Sequence, residues 1–299
     1  MKLSICIPVY NFDVRELVFD LKKEIENNKI DAEIILIDDA SEESFTIINS
    51  ELQKEVQAFV FLEKNIGRTR IRNLFLNYTK GDYLLFLDCD GQIISNTFLS
   101  SYIQFIVNNK GANIVYGGRK VANFPPDKNH RLRWKFAIER ENPPVKQRQE
   151  KPYLCFQTNN FIINREVLEK IPFNPEFQKY GYEDLLFAME LKREGVLIDH
   201  IENAIFNNDL ETNEKYLIKV NESMESLAKM LQDKNLKSNL TEIKIVKAYN
   251  RINEKFLIIL FANLFQIIKV GLEKKLLKGN VNLRYLDFYK LGLLLKEMR

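Results

Sequence analysis

Asp88-Cys89-Asp90 follows directly on the apolar run Tyr-Leu-Leu-Phe-Leu. Two carboxylates one residue apart at the end of a strand can both reach a single hard cation, and Mg²⁺ or Mn²⁺ is held by one or two carboxylates plus substrate phosphates. A plain polar strand terminus would look the same, so the pair alone leaves both readings open. Asp38-Asp39, after Ile34 to Ile37, can accept hydrogen bonds from a base or ribose edge, as acidic residues do after strands of nucleotide-binding sheets, or can cap a helix beginning near Ser44. In Asn65-Ile-Gly-Arg-Thr-Arg-Ile-Arg-Asn73, Asn65 and Gly67 supply a turn into a helix. Arg68, Arg70 and Arg72 cannot share one helical face, so one can look at the strand ends and a phosphate while the others are solvated. Tyr180-Gly-Tyr-Glu-Asp184 delivers two carboxylates to a helix N-terminus, where the dipole favours the ionised form. That suits a proton acceptor and also suits simple capping.

The elements that must carry these residues are legible as short apolar runs alternating with amphipathic ones. Leu3 to Val9, Glu33 to Ile37, Ala58 to Leu62, Tyr83 to Leu87 and Asn113 to Tyr116 read as buried parallel strands. Val14 to Asn27, Ser44 to Val56, Arg68 to Tyr78 and Ser95 to Asn108 read as helices between them. This alternation implies a mostly parallel sheet covered by helices, with ligands at the carboxyl ends of its strands. Tyr10 and Asn11, Asp38 and Asp39, Lys64 to Gly67, and Asp88 to Asp90 all stand at such ends. From Arg119 to Lys151 four prolines and the cluster His130, Arg131 and Arg133 read as a long functional loop. A strand over Phe156 to Ile163 and a helix over Glu183 to Glu194, stopped by Gly195, follow. After residue 211 the pattern is nearly all helix.

The chain has 299 residues, 45% of them hydrophobic and 28% charged, which excludes a disordered chain, a collagen and a disulfide-stapled miniature. Three widely spaced cysteines, Cys6, Cys89 and Cys155, provide neither a C-x-x-C site nor an even disulfide framework, as in a reducing cytosol. The start, MKLSICIPVYN, reads as a strand rather than a signal peptide. The net charge of +3 is a cancellation: 17 Lys+Arg stand against 8 Asp+Glu from residue 215 onward, and 27 against 33 before it. Two functional regions are therefore expected, an acidic one over residues 1–211 and a basic helical one over 212–299.

Within the basic region, Phe256 to Leu272 is a run of 17 residues interrupted by Asn263, Gln266 and Lys269, short of the roughly 20 needed to span a bilayer. A core helix is the expectation. The alternative is a helix lying on an anionic membrane, with Lys269, Lys274, Lys275 and Lys278 at the headgroups.

Taken together, Ser4-Ile-Cys-Ile-Pro-Val-Tyr-Asn11, Ile37-Asp-Asp-Ala-Ser41, Asn65-x-Gly67 with Arg72-Asn73, Gly81-Asp-Tyr-Leu-Leu-Phe-Leu-Asp-Cys-Asp90 and Gly181-Tyr-Glu-Asp184 resemble the inverting glycosyltransferase family 2. The resemblance implies the GT-A nucleotide-sugar-binding fold, a Rossmann-like α/β architecture with a mixed, mostly parallel sheet flanked by helices. It implies that Pro8, Tyr10, Asp38, Asp39, Asn65, Gly67, Arg72 and Asp88 face the donor, with Asp39 reading the nucleobase. Asp90 would bind Mn²⁺ or Mg²⁺, Asp184 would be the general base, and Thr158, Asn159, Asn160 and Glu183 would lie near the sugar and acceptor. His130 in the basic loop would help neutralise the diphosphate, and His200 would be structural. Many members of the family place a metal-binding histidine where Asn203-Ala-Ile-Phe-Asn207 puts Asn207, and an amide oxygen is the weaker ligand.

The expected function is metal-dependent transfer of a sugar from a nucleotide donor, a UDP-sugar, to a hydroxyl of a glycan or lipid-linked acceptor in surface polysaccharide synthesis. The expected setting is cytoplasmic, or peripheral on the inner face of the membrane, with no nucleic-acid partner. Two alternatives stand beside it: a catalytically weak nucleotide-sugar-binding or scaffolding subunit, and a nucleotidyltransferase.

Overall fold

The computed structural model describes residues 1–177, 180–207, 210–252, 254–279 and 282–299. In chain order its elements are β1 (Leu3–Val9), α1 (Arg15–Asn28), β2 (Ala32–Asp38), α2 (Glu43–Asn49), β3 (Ala58–Phe61), α3 (Arg68–Leu74), β4 (Tyr83–Leu87), β5 (Gly91–Gln92) and α4 (Phe98–Asn108). Then come β6 (Ile114–Tyr116), β7 (Arg119–Lys120), α5 (Arg131–Phe136), α6 (Val145–Glu150), β8 (Asn160–Asn164), α7 (Arg165–Lys170), α8 (Glu183–Arg193), β9 (Ile198–His200) and β10 (Ile205–Asn207). The C-terminal part carries α9 (Asn213–Gln232), α10 (Lys234–Lys237), α11 (Lys244–Asn250), α12 (Lys255–Leu277) and α13 (Leu283–Glu297).

The chain forms two compact units. The first comprises Met1–Lys120, Pro144–Gln178 and Glu190–Asp209; the second comprises Val121–Pro143, Lys179–Met189 and Leu210–Arg299. A cut at residue 211 follows the sequence, whereas in space two earlier segments belong with the C-terminal helices. Asn213 shows why, since its side chain accepts from the Leu132 amide at 2.8 Å and donates to the Lys128 carbonyl at 2.8 Å.

In the first unit a seven-stranded sheet runs β3-β2-β1-β4-β8-β6-β9. β3, β2, β1 and β4 are mutually parallel, β8 is antiparallel to both neighbours, and β6 is parallel to β9. β1, β2 and β4 are buried on both faces, which is why their sequences are apolar runs rather than alternations. Leu3, Ile5, Ile7 and Val9 of β1 pack with Val18 and Leu21 of α1 and with Phe98 and Tyr102 of α4, each such side chain contributing about 1.5–3 kcal/mol. Glu24 of α1 accepts from the Leu99 and Ser100 amides at 2.9 and 3.0 Å. It thereby satisfies the N-terminus of α4, which has no side-chain cap of its own. Strand order reverses direction at β1, so the crevice between the carboxyl ends of β1 and β4 is the topological switch point where such sheets bind ligands.

Several boundaries differ from expectation. The strand expected from Phe156 begins only at Asn160, because Phe156 and Gln157 stay outside the sheet and residues 158 and 159 turn. The helices expected to reach Val56 and Tyr78 tighten into 3₁₀ turns at Ser50–Lys54 and Phe75–Asn77. The stretch from Arg119 to Lys151, expected as loop, contains α5, a π-helical turn at Ala137–Glu141 and α6. Its prolines do not break these helices, since Pro144 stands at the N-cap of α6, where no amide is needed. In the second unit the buried guanidinium of Arg133 pairs with Glu141 at 2.7 Å and lies 5.4 Å from the centre of the Tyr216 ring.

The apolar run of the basic region is also not a core helix. It becomes α12, whose most apolar 18 residues are only 17% buried.

Candidate active site

Parallel pairing of β1 with β2 sets Val9 opposite Asp38, and Asp39 then donates its amide to the Val9 carbonyl at 2.8 Å. Asn11, in the left-handed region at φ 49°, ties the loop after β1 to the loop after β2. Its amide donates to the Ser41 hydroxyl at 2.8 Å and its side-chain oxygen accepts from the Glu42 amide at 2.8 Å. Pro8 is half-buried just ahead of this junction, and Tyr10 is exposed beside it.

The two aspartates after β2 have separate duties. Asp38 is buried; its Oδ1 accepts from the Ser41 amide at 2.7 Å while Oδ2, also buried, has no partner. Asp39 turns its carboxylate onto the loop before α3, accepting from the amides of Ile66 at 2.7 Å and Gly67 at 3.1 Å. Asn65 completes the clasp by donating to the Asp39 carbonyl at 3.1 Å. Gly67 caps α3 at φ 82°, a conformation that side-chain-bearing residues rarely adopt. Asn65 and Gly67 therefore shape the pocket wall. Burial, with Asp38 beside it, pushes the Asp39 carboxyl up despite these amides.

Arg72 was expected to face the donor, and the structure turns it inward instead. It is 2% exposed, and its guanidinium donates to Asp88 Oδ1 at 3.1 Å and to the Arg68 carbonyl at 3.4 Å. The Phe173 ring centre lies 5.7 Å away, and the Phe173 backbone is itself held by the Asn73 side chain, whose Nδ2 donates to its carbonyl at 2.7 Å and whose Oδ1 accepts from its amide at 2.9 Å. Ile71 and Arg72 lie with Thr69 on the buried side of α3, whereas Arg70 projects to the exposed side and Arg68, one turn before Arg72, is exposed at the first position of the helix.

At the end of β4, Asp88 receives the Arg72 guanidinium on its side chain and donates its amide to the Asn159 carbonyl at 3.0 Å. Asp90 accepts from Asn207 Nδ2 at 2.6 Å, a contact arranged by antiparallel pairing of Asn207 with Gly91. Burial first, then the neighbouring negative charge of Asp88, raise the Asp90 carboxyl. The positive charges of Arg119 and Arg68, together with the Asn207 hydrogen bond, act the other way. Arg119, whose charge acts on Asp90, was not among the residues expected at the site from the sequence. Its signal was there, as Gly117-Gly118-Arg119 directly follows the apolar run of β6. A cavity of about 430 Å³ opens beside Cys89 and Asp90, lined also by Phe12, Glu16 and Gln92.

These residues fit a hard divalent cation. Among the described residues no three His, Cys, Asp or Glu side chains converge on one point, so the carboxylates of Asp88 and Asp90 would share the ion with oxygens of the bound ligand, as Mg²⁺ sites commonly do. Asn207 Oδ1 is buried without a partner, an orphaned acceptor of the kind a cation would satisfy.

Two further expectations are corrected. Asn160 is fully buried, and its side chain is saturated, with Oδ1 accepting from the Tyr102 hydroxyl at 2.7 Å and Nδ2 donating to the carbonyls of Gly118 and Asn203 at 2.8 and 2.9 Å. It locks the sheet and has nothing left for a sugar. Glu183, 5% exposed, accepts from the Gly181 amide at 2.7 Å and stabilises the turn before α8. Thr158 is likewise buried. Asn159 is half-buried, with Nδ2 on Gln157 at 3.0 Å and a buried Oδ1 that lacks a partner. Asp184 is half-buried in the first turn of α8, within the second unit. His130 pairs with Asp127 at 2.6 Å in that same unit. His200 ends β9 as expected and is structural, receiving the buried Arg148 and bonding to the Pro152 carbonyl at 3.0 Å.

Comparison with known proteins agrees with this architecture. Among curated proteins, the poly(ribitol-phosphate) beta-glucosyltransferase of Bacillus spizizenii is 35% identical over 108 residues, 34% of this chain and 17% of that protein. An uncharacterized glycosyltransferase of Haemophilus influenzae is 34% identical over 112 residues, 36% of this chain and 43% of that one. The aligned segments thus span less than half of these relatives. Among solved structures, the mannosyltransferase PcManGT of Pyrobaculum calidifontis, in complex with GDP-Man and Mn²⁺, superposes over 99% of this chain and 85% of its own with a TM-score of 0.61 at 13% identity. Glucosyl-3-phosphoglycerate synthase of Mycobacterium tuberculosis, in complex with Mn²⁺, UDP and glucosyl-3-phosphoglycerate, covers 77% of this chain and 79% of its own with a TM-score of 0.52 at 16% identity. These likenesses establish a GT-A fold. Residues 4–172 match the model of glycosyl transferase family 2, and the chain belongs to that family.

Proposed function

We propose that this chain moves a sugar from a nucleotide-sugar donor, a UDP-sugar, to a hydroxyl of a glycan or glycolipid acceptor in surface polysaccharide synthesis, with inversion at the anomeric carbon. The observation that carries the reading is the carboxylate pair at the end of β4. Asp88 is held by a buried arginine and Asp90 by Asn207, and the positive charges of Arg68 and Arg119 act on Asp90 from the same end of the sheet. Supporting the donor class are the complexes of UDP and GDP-Man with Mn²⁺ in the structural neighbours. Supporting the acceptor class is the name of the Bacillus relative.

A divalent cation bound by Asp88 and Asp90 would act as a Lewis acid on the departing diphosphate. Arg68 and Arg119 add positive charge where the leaving group gains negative charge. Asp38 offers its unpartnered buried oxygen to a donor group on the nucleoside, while Asp39, committed to the Ile66 and Gly67 amides, fixes the wall behind it. Asp184 takes the proton from the attacking hydroxyl, a step worth about 10²- to 10⁴-fold.

The test is product analysis over a panel of nucleotide sugars with Mn²⁺. Release of UDP together with a glycosylated product supports the reading, whereas release of diphosphate from UTP and a sugar 1-phosphate, offered in a parallel assay, identifies a nucleotidyltransferase instead. Asp184→Asn should cut turnover by about 10²- to 10⁴-fold with donor Kd unchanged; intact turnover in that variant removes Asp184 as the base. One observation favours a second reading. Asn207 donates to Asp90 and so competes for the oxygen that a cation would take. Donor binding without Mn²⁺ dependence and without transfer would identify a nucleotide-sugar-binding subunit.

A further inference from the structure

α12 wears its polarity inside out. Ala262, Phe265, Leu272 and Leu276 form a buried stripe, and Phe265 meets Tyr289 of α13 with ring centres 5.8 Å apart. Beside that stripe the charged residues turn inward: Lys269 pairs with Glu273 at 3.6 Å, and Glu273 accepts from the Tyr289 hydroxyl at 2.7 Å. On the opposite face Phe256, Leu260, Leu264 and Ile267 follow one another at helical spacing, and Phe256 is 71% and Ile267 79% exposed. Leu260 and Leu264 are exposed too, as are Phe261, Ile268 and Val270 on the flanks. Within Phe256–Leu277 the most apolar 18 residues have a mean hydropathy of 1.8. A surface helix of a protein bathed in water carries the reverse pattern. An exposed apolar face of this extent marks an interaction surface.

The charges around the face indicate what covers it. Continuing the same face toward the C-terminus, the apolar residues give way to Lys274 and Lys278, with Lys275 alongside, all exposed. Asn263, a polar residue on the apolar side, accepts from Arg299 at 2.9 Å and so brings another cation to that flank. The whole stretch from residue 215 carries 17 basic against 8 acidic residues. Two copies joined through this face would set two strongly cationic regions against each other. An anionic bilayer takes up the apolar side chains and neutralises the lysines at once. Packing of the buried stripe against α13 keeps one side of α12 on the protein, so the helix lies along the surface and does not cross the bilayer.

We infer that α12 is a membrane-docking helix: its Phe256-Leu260-Leu264-Ile267 face sinks into the boundary between headgroups and acyl chains of an anionic bilayer, with Lys274, Lys275 and Lys278 on the headgroups. The inference is independent of the catalytic reading.

It is tested by floating the purified chain with vesicles of phosphatidylcholine alone or of phosphatidylcholine and phosphatidylglycerol in equal parts, alongside its mass in solution. The wild-type chain should float with the mixed vesicles and be released by salt. Ile267→Glu should reduce the bound fraction about tenfold or more while leaving the melting temperature unchanged, because the side chain it replaces is already in solvent. The triple change of Lys274, Lys275 and Lys278 to Glu should abolish the preference for phosphatidylglycerol. Failure of a folded wild-type chain to float, or flotation unaffected by Ile267→Glu, overturns the proposal. A wild-type dimer that Ile267→Glu splits, with no vesicle binding, overturns it in favour of an interface between copies.

Discussion

Replacing Arg72 by Met tests whether a residue buried behind the site sets the geometry of its first carboxylate. The substitution keeps an unbranched stem against Phe173 and removes the guanidinium that donates to Asp88 Oδ1 at 3.1 Å. A hydrogen bond to a charged group contributes roughly 1.5–3 kcal/mol. Asp88 keeps 30% of its side chain in solvent, so water recovers part of that and the lower end of the range applies to the fold. Removal of a buried cation whose Nε has no partner offsets it further. Stability should therefore change by no more than about 1 kcal/mol, read as the urea midpoint. Donor binding has no such compensation, since Asp88 is released from the rotamer that the ligand meets. A loss of about 1.4–2.8 kcal/mol, ten- to a hundredfold in Kd for UDP with Mn²⁺, is expected by calorimetry. Arg72→Lys, which restores the charge without the planar fork, should recover part of it. An unchanged Kd in a folded Arg72→Met chain would refute the reasoning, and a collapse of stability that tracks the loss of binding would reduce Arg72 to a core residue.

Two further outcomes follow from residues away from the ligand. Asn160→Ala strands the carbonyls of Gly118 and Asn203 and removes an acceptor from Tyr102, which should cost roughly 2–4 kcal/mol in urea unfolding; loss of less than about 1 kcal/mol would contradict its role in locking the sheet. His200 is held neutral, its pKa lowered to about 4 by burial and by the charge of Arg148. The unfolded chain takes up that proton near pH 6.5, so stability is present above this value and lost as pH falls toward 4, by about 3 kcal/mol. Urea midpoints at pH 7 and pH 4.5 should show that loss, and His200→Gln should flatten it.

Much of the frame was legible because its physics is local. β1, β2 and β4 are buried on both faces, so their apolar runs could be read almost to the residue, and the polar residues at their ends had to face the crevice. Arg72 was misplaced because its role depends on the phase of α3 against the sheet, which three arginines at alternate positions do not reveal. Asn160 was misplaced because burial of an amide depends on Tyr102, Gly118 and Asn203, all more than 40 residues away in sequence. Prolines between Pro125 and Pro144 suggested loop, although a proline at a helix start is as natural as one in a turn. In α12 the error was of another kind: an apolar run shows that something must cover it, while only the packing of Phe265 and Leu272 on one side shows that the protein itself covers just that side.

The account rests on Asp88 and Asp90 as the place where a cation and a nucleotide diphosphate meet. Calorimetric titration of UDP into the wild-type chain and into Asp90→Asn, each with and without Mn²⁺, tests it most directly. Affinity in the wild type should rise at least about tenfold with Mn²⁺, or 1.4 kcal/mol, and that gain should vanish in Asp90→Asn while the melting temperature holds. Equal affinity with and without the metal, or a gain that survives in Asp90→Asn, would contradict it.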